Sequence, residues 1–260
     1  MTKKIWITSI PKDQEKVQRL MTLLKPYGMR MDGHFWMDDL KNMAWSNVAE
    51  SIIQKDVAMW IIIADKASLE KDTIKKGLSL LTMIVQHAKG SGFHILVLAV
   101  EKDITVNNLP TLLKGADIMP LASPTIGAKV VALANMPIPK IETGYRLTIH
   151  PVVGIGHWFE VGPSQGIKWQ GVMFGVTAAE ITFHGVGPAD GIPERAILEY
   201  PMKGLQIKLG DEEFTAWAVQ NLLDDKTSYY IRVDGVPDKI LFAPYTSEND
   251  TEAHILELGN

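Results

Sequence analysis

The sequence predicts two fold classes in series: a doubly wound α/β domain with a parallel sheet of about five strands, then a mostly β domain, either a sandwich or a barrel. Three observations carry this expectation. The stretch Val57-Ala58-Met59-Trp60-Ile61-Ile62-Ile63-Ala64 is a continuous apolar run of strand length between Asp56 and Asp65. Such a run suits a strand buried on both faces, as in a parallel sheet covered by helices. Helical spacing flanks it: Val48, Ala49, Ile52 and Ile53 before, Leu78, Leu81 and Val85 after, and then a second apolar run, Phe93 to Val100. Beyond Met136-Pro137-Ile138-Pro139-Lys140 that periodicity mostly disappears, and short apolar runs punctuated by Gly and Pro replace it.

Taken in order, Lys4 to Thr8 reads as the first strand, and Pro11 biases Ile10 away from helix. Asp13 is placed to cap a helix to about Leu24, with Val17, Leu20, Met21 and Leu24 on one face and Pro26 and Gly28 ending it. Met29–Met31 and Phe35–Met37 read as a second strand bent at Asp32-Gly33. A polar loop, Asp38 to Met43, leads to a helix capped by Ser46 and running to Lys55. After the central strand come a helix over about Leu69–His87, the strand Phe93–Val100, a short helix or turn at Leu109–Leu113, an edge strand Ala116–Pro120 and a final helix Ala128–Ala134.

Residues 1–135 thus form one domain, 136–140 a Pro-rich connector and 141–260 the second domain. The second domain reads as strands at Tyr145–Val153, His157–Val161, Gly171–Val176, Glu180–His184, Ala196–Tyr200, Gly204–Leu209, Tyr229–Val233 and Lys239–Phe242. Gly154-Ile155-Gly156 and Gly185-Val186-Gly187 read as β-turns, and Glu212 to Leu223 as one helix. The polar tail Thr246–Glu252 is expected to be mobile, with Ile255-Leu256 returning to pair.

Composition narrows the function classes. The net charge of −4 gives no electrostatic case for a nucleic-acid binder. The absence of Cys removes disulfides and thiolate metal sites. No apolar stretch reaches the ~18–20 residues of a membrane helix, and the N-terminus has no signal-like apolar region. A soluble cytoplasmic protein is the expectation.

The N-terminal half resembles a TIR (Toll/interleukin-1 receptor) domain over roughly Lys4 to Ala134. Ile5-Trp6-Ile7-Thr8-Ser9-Ile10-Pro11-Lys12-Asp13 is similar to the first box of that family, and Phe35-Trp36-Met37-Asp38-Asp39 to the strand that enters its BB loop. Ser46–Ile53 and Asp56–Ala64 resemble its second helix and central strand. The resemblance implies a flavodoxin-like sheet and a protein partner, a second copy of the chain included. The family's BB loop usually carries a Pro-Gly or similar pair, and this chain has Leu40-Lys41-Asn42-Met43 there. NAD-cleaving members carry a Glu in the helix after the central strand. Laying their motif on this sequence places Gly77 at that position, with Glu70 two helical turns away, ~10 Å along the axis. The resemblance therefore implies a TIR-like module without NAD cleavage.

Candidate site residues lie where the strands of an open α/β sheet end. Thr8, Ser9 and Lys12 sit on the first strand–helix loop, where a phosphate could meet a helix N-terminus, although no Gly-rich fingerprint accompanies them. Asp38 and Asp39, with Asp32 and His34 nearby, read as a solvated acidic loop, with a metal or ribose site as the alternative. Asp65 ends the central strand, the best placed of the carboxylates Asp65, Glu70 and Asp72 to face a ligand. The histidines show no ligand spacing, although His150 and His157 could converge in a hairpin, and no Gly-x-Ser-x-Gly elbow occurs. Trp158, Trp169 and Trp217 with Phe159 and Phe174 are expected in the β core, with a sugar or peptide groove as the alternative.

Two functions follow as expectations. The first is a cytoplasmic TIR-like signalling or assembly module joined to a β-rich ligand- or partner-binding domain, with no catalytic residue, metal or cofactor assigned. The second is an NAD glycohydrolase or other nucleotide-processing enzyme with a displaced acid, for which NAD or a related nucleotide is the ligand.

Overall fold

The computed structural model describes residues 3–245 and 252–259. The chain divides into two compact units, Met1–Ile141 and Glu142–Asn260. The tail expected to be mobile lies, for residues 246–251, outside the described residues.

The first unit alternates strand and helix. It contains β1 (Lys4–Ser9), α1 (Gln14–Leu24), β2 (Arg30–Phe35), α2 (Ala49–Ile52), β3 (Val57–Ala64), α3 (Lys66–Leu69), α4 (Asp72–Lys89), β4 (Ile95–Ala99), β5 (Asp117–Pro120) and α5 (Ile126–Asn135). The strands form one parallel sheet in the order β2-β1-β3-β4-β5. The order reverses between β1 and β3, which makes that junction the switch point of a doubly wound sheet. The apolar run of β3 is central, as its composition requires, and every side chain from Met59 to Ala64 is buried. Asp13 caps α1 through the Lys16 amide, 3.0 Å away, and Gly28, at φ 70°, ends the 3₁₀ turn that follows α1.

Strand alternation sends two sets of side chains to opposite faces. On one face Ile5, Ile7, Met59, Ile61, Ile63, Leu96 and Leu98 form a core with Leu20 and Leu24 of α1 and with Ile126, Val130 and Leu133 of α5. The alternate positions Trp6, Thr8, Trp60 and Ile62 form the second face, and all four are buried. There the Trp60 indole Nε1 donates to Thr8 Oγ1 at 2.8 Å.

Two expectations for this unit are corrected. β2 runs unbroken through Asp32-Gly33. A Cβ at Gly33 would lie 2.2 Å from the Ile7 carbonyl oxygen, so the glycine admits the neighbouring backbone rather than a bend. Ser46 caps nothing: its hydroxyl donates to the Met43 carbonyl, and Ala44–Val48 is a 3₁₀ turn that shortens the expected helix to Ala49–Ile52. The helix expected over about Leu69–His87 is α4, Asp72–Lys89, and a separate turn capped by Asp65, α3, precedes it.

The second unit contains β6 (Tyr145–Val152), β7 (Gly156–Pro163), β8 (Gly171–Val176), β9 (Glu180–Pro188), β10 (Met202–Leu209), β11 (Glu212–Val219), β12 (Thr227–Asp234), β13 (Lys239–Tyr245) and β14 (His254–Glu257). They make two antiparallel sheets, β10-β11-β8-β13-β14 and β6-β7-β12-β9. The sheets meet through Phe159 and Phe174, both fully buried with ring centroids 5.4 Å apart. Ile255 and Leu256 pair with β13 as expected.

The helix expected over Glu212–Leu223 is strand β11. Phe214, Ala216 and Ala218 are buried in alternation, a period of two, and Gly210 at φ 63° turns the chain between Leu209 and Glu212, which pair. Gly185-Val186-Gly187 is not a turn but the end of β9. Ala196–Tyr200 is not a strand; it contributes one bridge, Ile197 to Val186. No helix among the described residues is long and apolar enough to cross a membrane.

The buried Trp60–Thr8 bond gives a direct check on the second face of the parallel sheet. Thr8→Val is nearly isosteric and leaves the indole N–H without an acceptor, so it is expected to cost about 1–3 kcal/mol in urea denaturation. Adding Trp60→Phe is expected to cost less than the two separate losses summed, by about 1 kcal/mol, because the partners share one interaction. Additive losses would contradict the bond.

Candidate functional site

The C-terminal edge of the parallel sheet is where the sequence placed its candidates, and the geometry separates them. Thr8 is fully buried and accepts the Trp60 indole. Ser9 is buried, its hydroxyl donating to the Pro11 carbonyl at 2.7 Å, and its own carbonyl accepts the Trp36 amide at 2.8 Å. Ile10 continues the pairing, its amide donating to the Ile63 carbonyl at 2.9 Å, and its side chain is buried. Ile10 and Trp36 are thus buried and paired to the sheet beside the switch point, and of the three residues expected to meet a phosphate only Lys12 is exposed.

Two of the three candidate carboxylates, Asp39 and Asp65, are committed to local structure. Asp39 accepts from the Asn42 amide at 3.1 Å and from Asn42 Nδ2 at 2.8 Å. Those bonds lower its pKa and fold Leu40-Lys41-Asn42-Met43 into a tight turn, with Met43 at φ 55°. Asp38 is exposed. Asp65 caps α3, its Oδ1 accepting from the Ser68 amide at 2.6 Å. Burial lowers His34 to about 4, which keeps the ring neutral, and its Nδ1 accepts the Trp6 indole at 3.2 Å. Among the described residues no three His, Asp or Glu side chains are grouped to hold a metal.

At Gly77, in the middle of α4, a Cβ would lie 2.8 Å from Trp36 Cζ2 and 3.4 Å from the Trp45 Cβ. Both indoles are buried. The loop after β2 folds back so that Trp36 fills the volume that a side chain at this position would take. Sequence reading found the glycine but not its cause, because nothing local links position 77 to the two tryptophans.

In the second unit the register brings together residues that sequence reading had not joined. Arg146, Thr148 and His150 of β6, Trp158 and Glu160 of β7, and Ser228, Tyr230 and Arg232 of β12 share the outer face of the four-stranded sheet. His157 is on the opposite face from His150, since it pairs with Pro151, so these two histidines do not converge. Glu160 is buried on that outer face. Its Oε2 meets His150 Nε2 at 2.6 Å and its Oε1 accepts the Asp190 amide at 2.9 Å. Burial raises its pKa, but the bonds from His150, the Asp190 amide and Ser228 outweigh it and hold the carboxyl at about 2.

These bonds fasten a strap, residues 188–200, across the sheet. The Tyr230 hydroxyl donates to the Pro188 carbonyl, and the Ile197 amide to the Val186 carbonyl at 3.1 Å. Pro193 and Ala196 press on the strand so closely that a Cβ at Gly187 or Gly185 would sit 2.4 or 2.5 Å from them. The buried Asn221 holds the far end, accepting from the Glu199 amide at 2.8 Å and donating to the Ile197 carbonyl at 3.3 Å. Glu160 Oε1 serves this fastening, while Oε2 joins β7 to β6 through His150. The Glu160–His150 pair, which has the appearance of an acid–base dyad, is a structural clamp.

The aromatics divide. Trp169, Phe159 and Phe174 are core. Trp158 stays half-buried on the outer face, 5.4 Å from Phe183, itself 40% exposed, with the Arg232 guanidinium 5.8 Å from the Trp158 ring. Trp217 stands edge-on to His184 at 4.8 Å and carries the Lys203 ammonium 4.6 Å over its ring. His184 is buried, with Nδ1 2.8 Å from the Tyr229 hydroxyl, and burial, assisted by the Lys203 charge, lowers it to about 4.

No protein-family model matches the sequence, and no curated protein matches it. Among solved structures it is similar to the yeast delta-COP-I mu-homology domain at 9% identity and a TM-score of 0.24, over 44% of this chain and 48% of that one. The chain spans about half the length of the solved chain it matches, and so distant a likeness assigns neither fold nor function.

His184 and Glu160 set an acid-stability profile. The neutral imidazole is favoured by folding, so its contribution is complete above the ordinary value of 6.5 and is lost as pH falls toward 4. The Glu160 carboxylate is also favoured by folding; its contribution is complete above 4.5 and is lost as pH falls through about 2. Each is worth about 3 kcal/mol at full expression. Denaturant midpoints measured from pH 7 to 3 are expected to fall over the whole range. His184→Asn should make the upper limb shallower, the remainder coming from His34, which is lowered to the same value, and Glu160→Gln should do the same for the lower limb. A midpoint that stays constant from pH 6.5 to 4 would contradict the buried neutral imidazole.

Proposed function

We propose that the chain is a non-enzymatic, two-domain binding protein. Its α/β half is a TIR-like signalling or assembly module that pairs with a protein partner or a second copy. Its β-rich half, a sandwich, recognises a partner or ligand, and the Trp158–Phe183–Arg232 surface offers the residue types that dominate binding energies.

The observation that carries this reading is the packing of Trp36 and Trp45 against Gly77. Cleavage of the nicotinamide–ribose bond passes through a cationic sugar, which a carboxylate must stabilise across an open site. In NAD-cleaving TIR domains the helix position resembling Gly77 supplies it. Here that position has no side chain and its space holds an indole. Asp65, the carboxylate that follows the central strand, is committed to the Ser68 amide as the cap of α3.

The test is nicotinamide release from NAD by the purified full chain, followed by chromatography. No turnover above background is expected, since loss of one such stabilising group commonly costs on the order of 10²–10³ in rate. Turnover that disappears in Asp65→Ala or Glu70→Ala would overturn this reading in favour of an NAD glycohydrolase with a displaced acid.

A further inference from the structure

β2 is one edge of the parallel sheet, and Arg30, Asp32, Gly33 and Phe35 along it are exposed. The Arg30 amide donates to the Lys3 carbonyl at 3.1 Å and the Trp36 amide to the Ser9 carbonyl at 2.8 Å. Bonding direction alternates along a strand, so Arg30, Asp32 and His34 turn their backbone groups to β1. Met31, Gly33 and Phe35 turn theirs away from the sheet. Among the described residues the outward groups of Met31 and Phe35 meet no partner, and the Gly33 amide donates only to the side chain of its neighbour Asp32, at 2.9 Å. The opposite edge is blunted: β5 has four residues, ends in Pro120 and carries the Asp117–Lys129 ion pair. β2 has six residues and no proline.

The side chains of β2 choose the occupant, because they complement themselves. Antiparallel pairing of β2 with a second β2 about Gly33 sets Gly33 opposite Gly33 and Met31 opposite Phe35, as the pairs that exchange both backbone bonds. Every outward group is then satisfied. In that register Asp32 stands opposite His34 of the second copy, with Cα atoms about 4.5 Å apart. His34 Nδ1 accepts the Trp6 indole, so the neutral ring carries its proton on Nε2, which has no acceptor among the described residues. Asp32 can supply one: its Oδ2 stays with Lys4 at 2.9 Å, and the pairing releases its Oδ1 from the Gly33 amide. On the other face a cleft of about 220 Å³ lies between β2 and α1, walled by Val17, Met21, Met31 and Phe35. The register sets Phe35 of the second copy beside Met31, at the mouth of this cleft.

We propose that the β2 edge pairs antiparallel with β2 of a second copy, joining two five-stranded sheets into one. The proposal rests on the reading of the α/β half as an assembly module and names its partner and its surface.

The test is sedimentation equilibrium of the full chain, in which a dimer is expected at about 100 μM. Phe35→Pro removes an outward amide and no bond to β1, and Asp32→Lys replaces the acceptor for His34 with a cation. Both positions are exposed, and each variant should weaken the dimer about tenfold or more; Asp32→Lys decides if Phe35→Pro does not fold. The chain has no Cys, so cross-linking reads the register. Met31→Cys/Phe35→Cys should give a disulfide-linked dimer on mild oxidation, since the paired Cα atoms lie about 5.5 Å apart. Neither single variant should, because like positions lie about 14 Å apart. A monomer at about 100 μM, a dimer left intact by a folded Asp32→Lys variant, or cross-linking of the single variants in preference to the double one would each overturn the proposal. Association through another surface would overturn this proposal alone, and NAD turnover would overturn the functional reading alone.

Discussion

The close approach of Trp36 and Trp45 to Gly77 is the constraint on which the α/β unit depends. A helix ordinarily disfavours glycine, by about 1 kcal/mol relative to alanine. Here α4 accepts that cost at a buried position because the indole of Trp36 occupies the space of a Cβ. The same contact fixes the path of the chain after β2. The same loop holds the Asp39–Asn42 turn, and the Trp36 amide donates to the Ser9 carbonyl.

The β-rich unit is organised by a different constraint, a buried carboxylate. Glu160 would be unstable on a sheet face if it were left alone, since an unpaired buried charge is costly. Three donors surround it, and one of them is the backbone of the strap that buries it. Burial and hydrogen bonding are therefore linked: the strap that covers the carboxylate also donates the Asp190 amide to it, while Tyr230, Val186 and Asn221 hold the strap at other points. Gly185 and Gly187 belong to the same device, because only strand positions without Cβ allow Pro193 and Ala196 to come so close.

Much of the first unit was legible in the sequence because its signals are local. The run Val57–Ala64 announces a two-faced buried strand, and Asp13 announces a helix start. The misreadings were of two kinds. In β11 the Ala- and Glu-containing stretch was given a helical period, whereas Phe214, Ala216 and Ala218 follow a period of two. At Gly33, Gly185 and Gly187 the glycines were read as bends or turns, whereas each admits a neighbouring segment to a strand. The candidate-site residues Thr8, Ser9, Asp39 and Asp65 have polar atoms committed to the fold, through partners that local sequence does not show. The Glu160–His150 clamp depends on the register of β6 against β7 and on a strap distant in sequence, and neither is written in local periodicity.

The most direct test of the central packing is a double-mutant cycle between Gly77 and Trp36, read as urea-unfolding free energy of the full chain. Gly77→Ala alone should destabilise by about 1–3 kcal/mol, although alanine is the better helix former, because the added methyl overpacks against the Trp36 ring. In a Trp36→Leu background the same substitution should cost at least about 1 kcal/mol less. A Gly77→Ala protein as stable as the parent, or a cost independent of the residue at position 36, would contradict the packing.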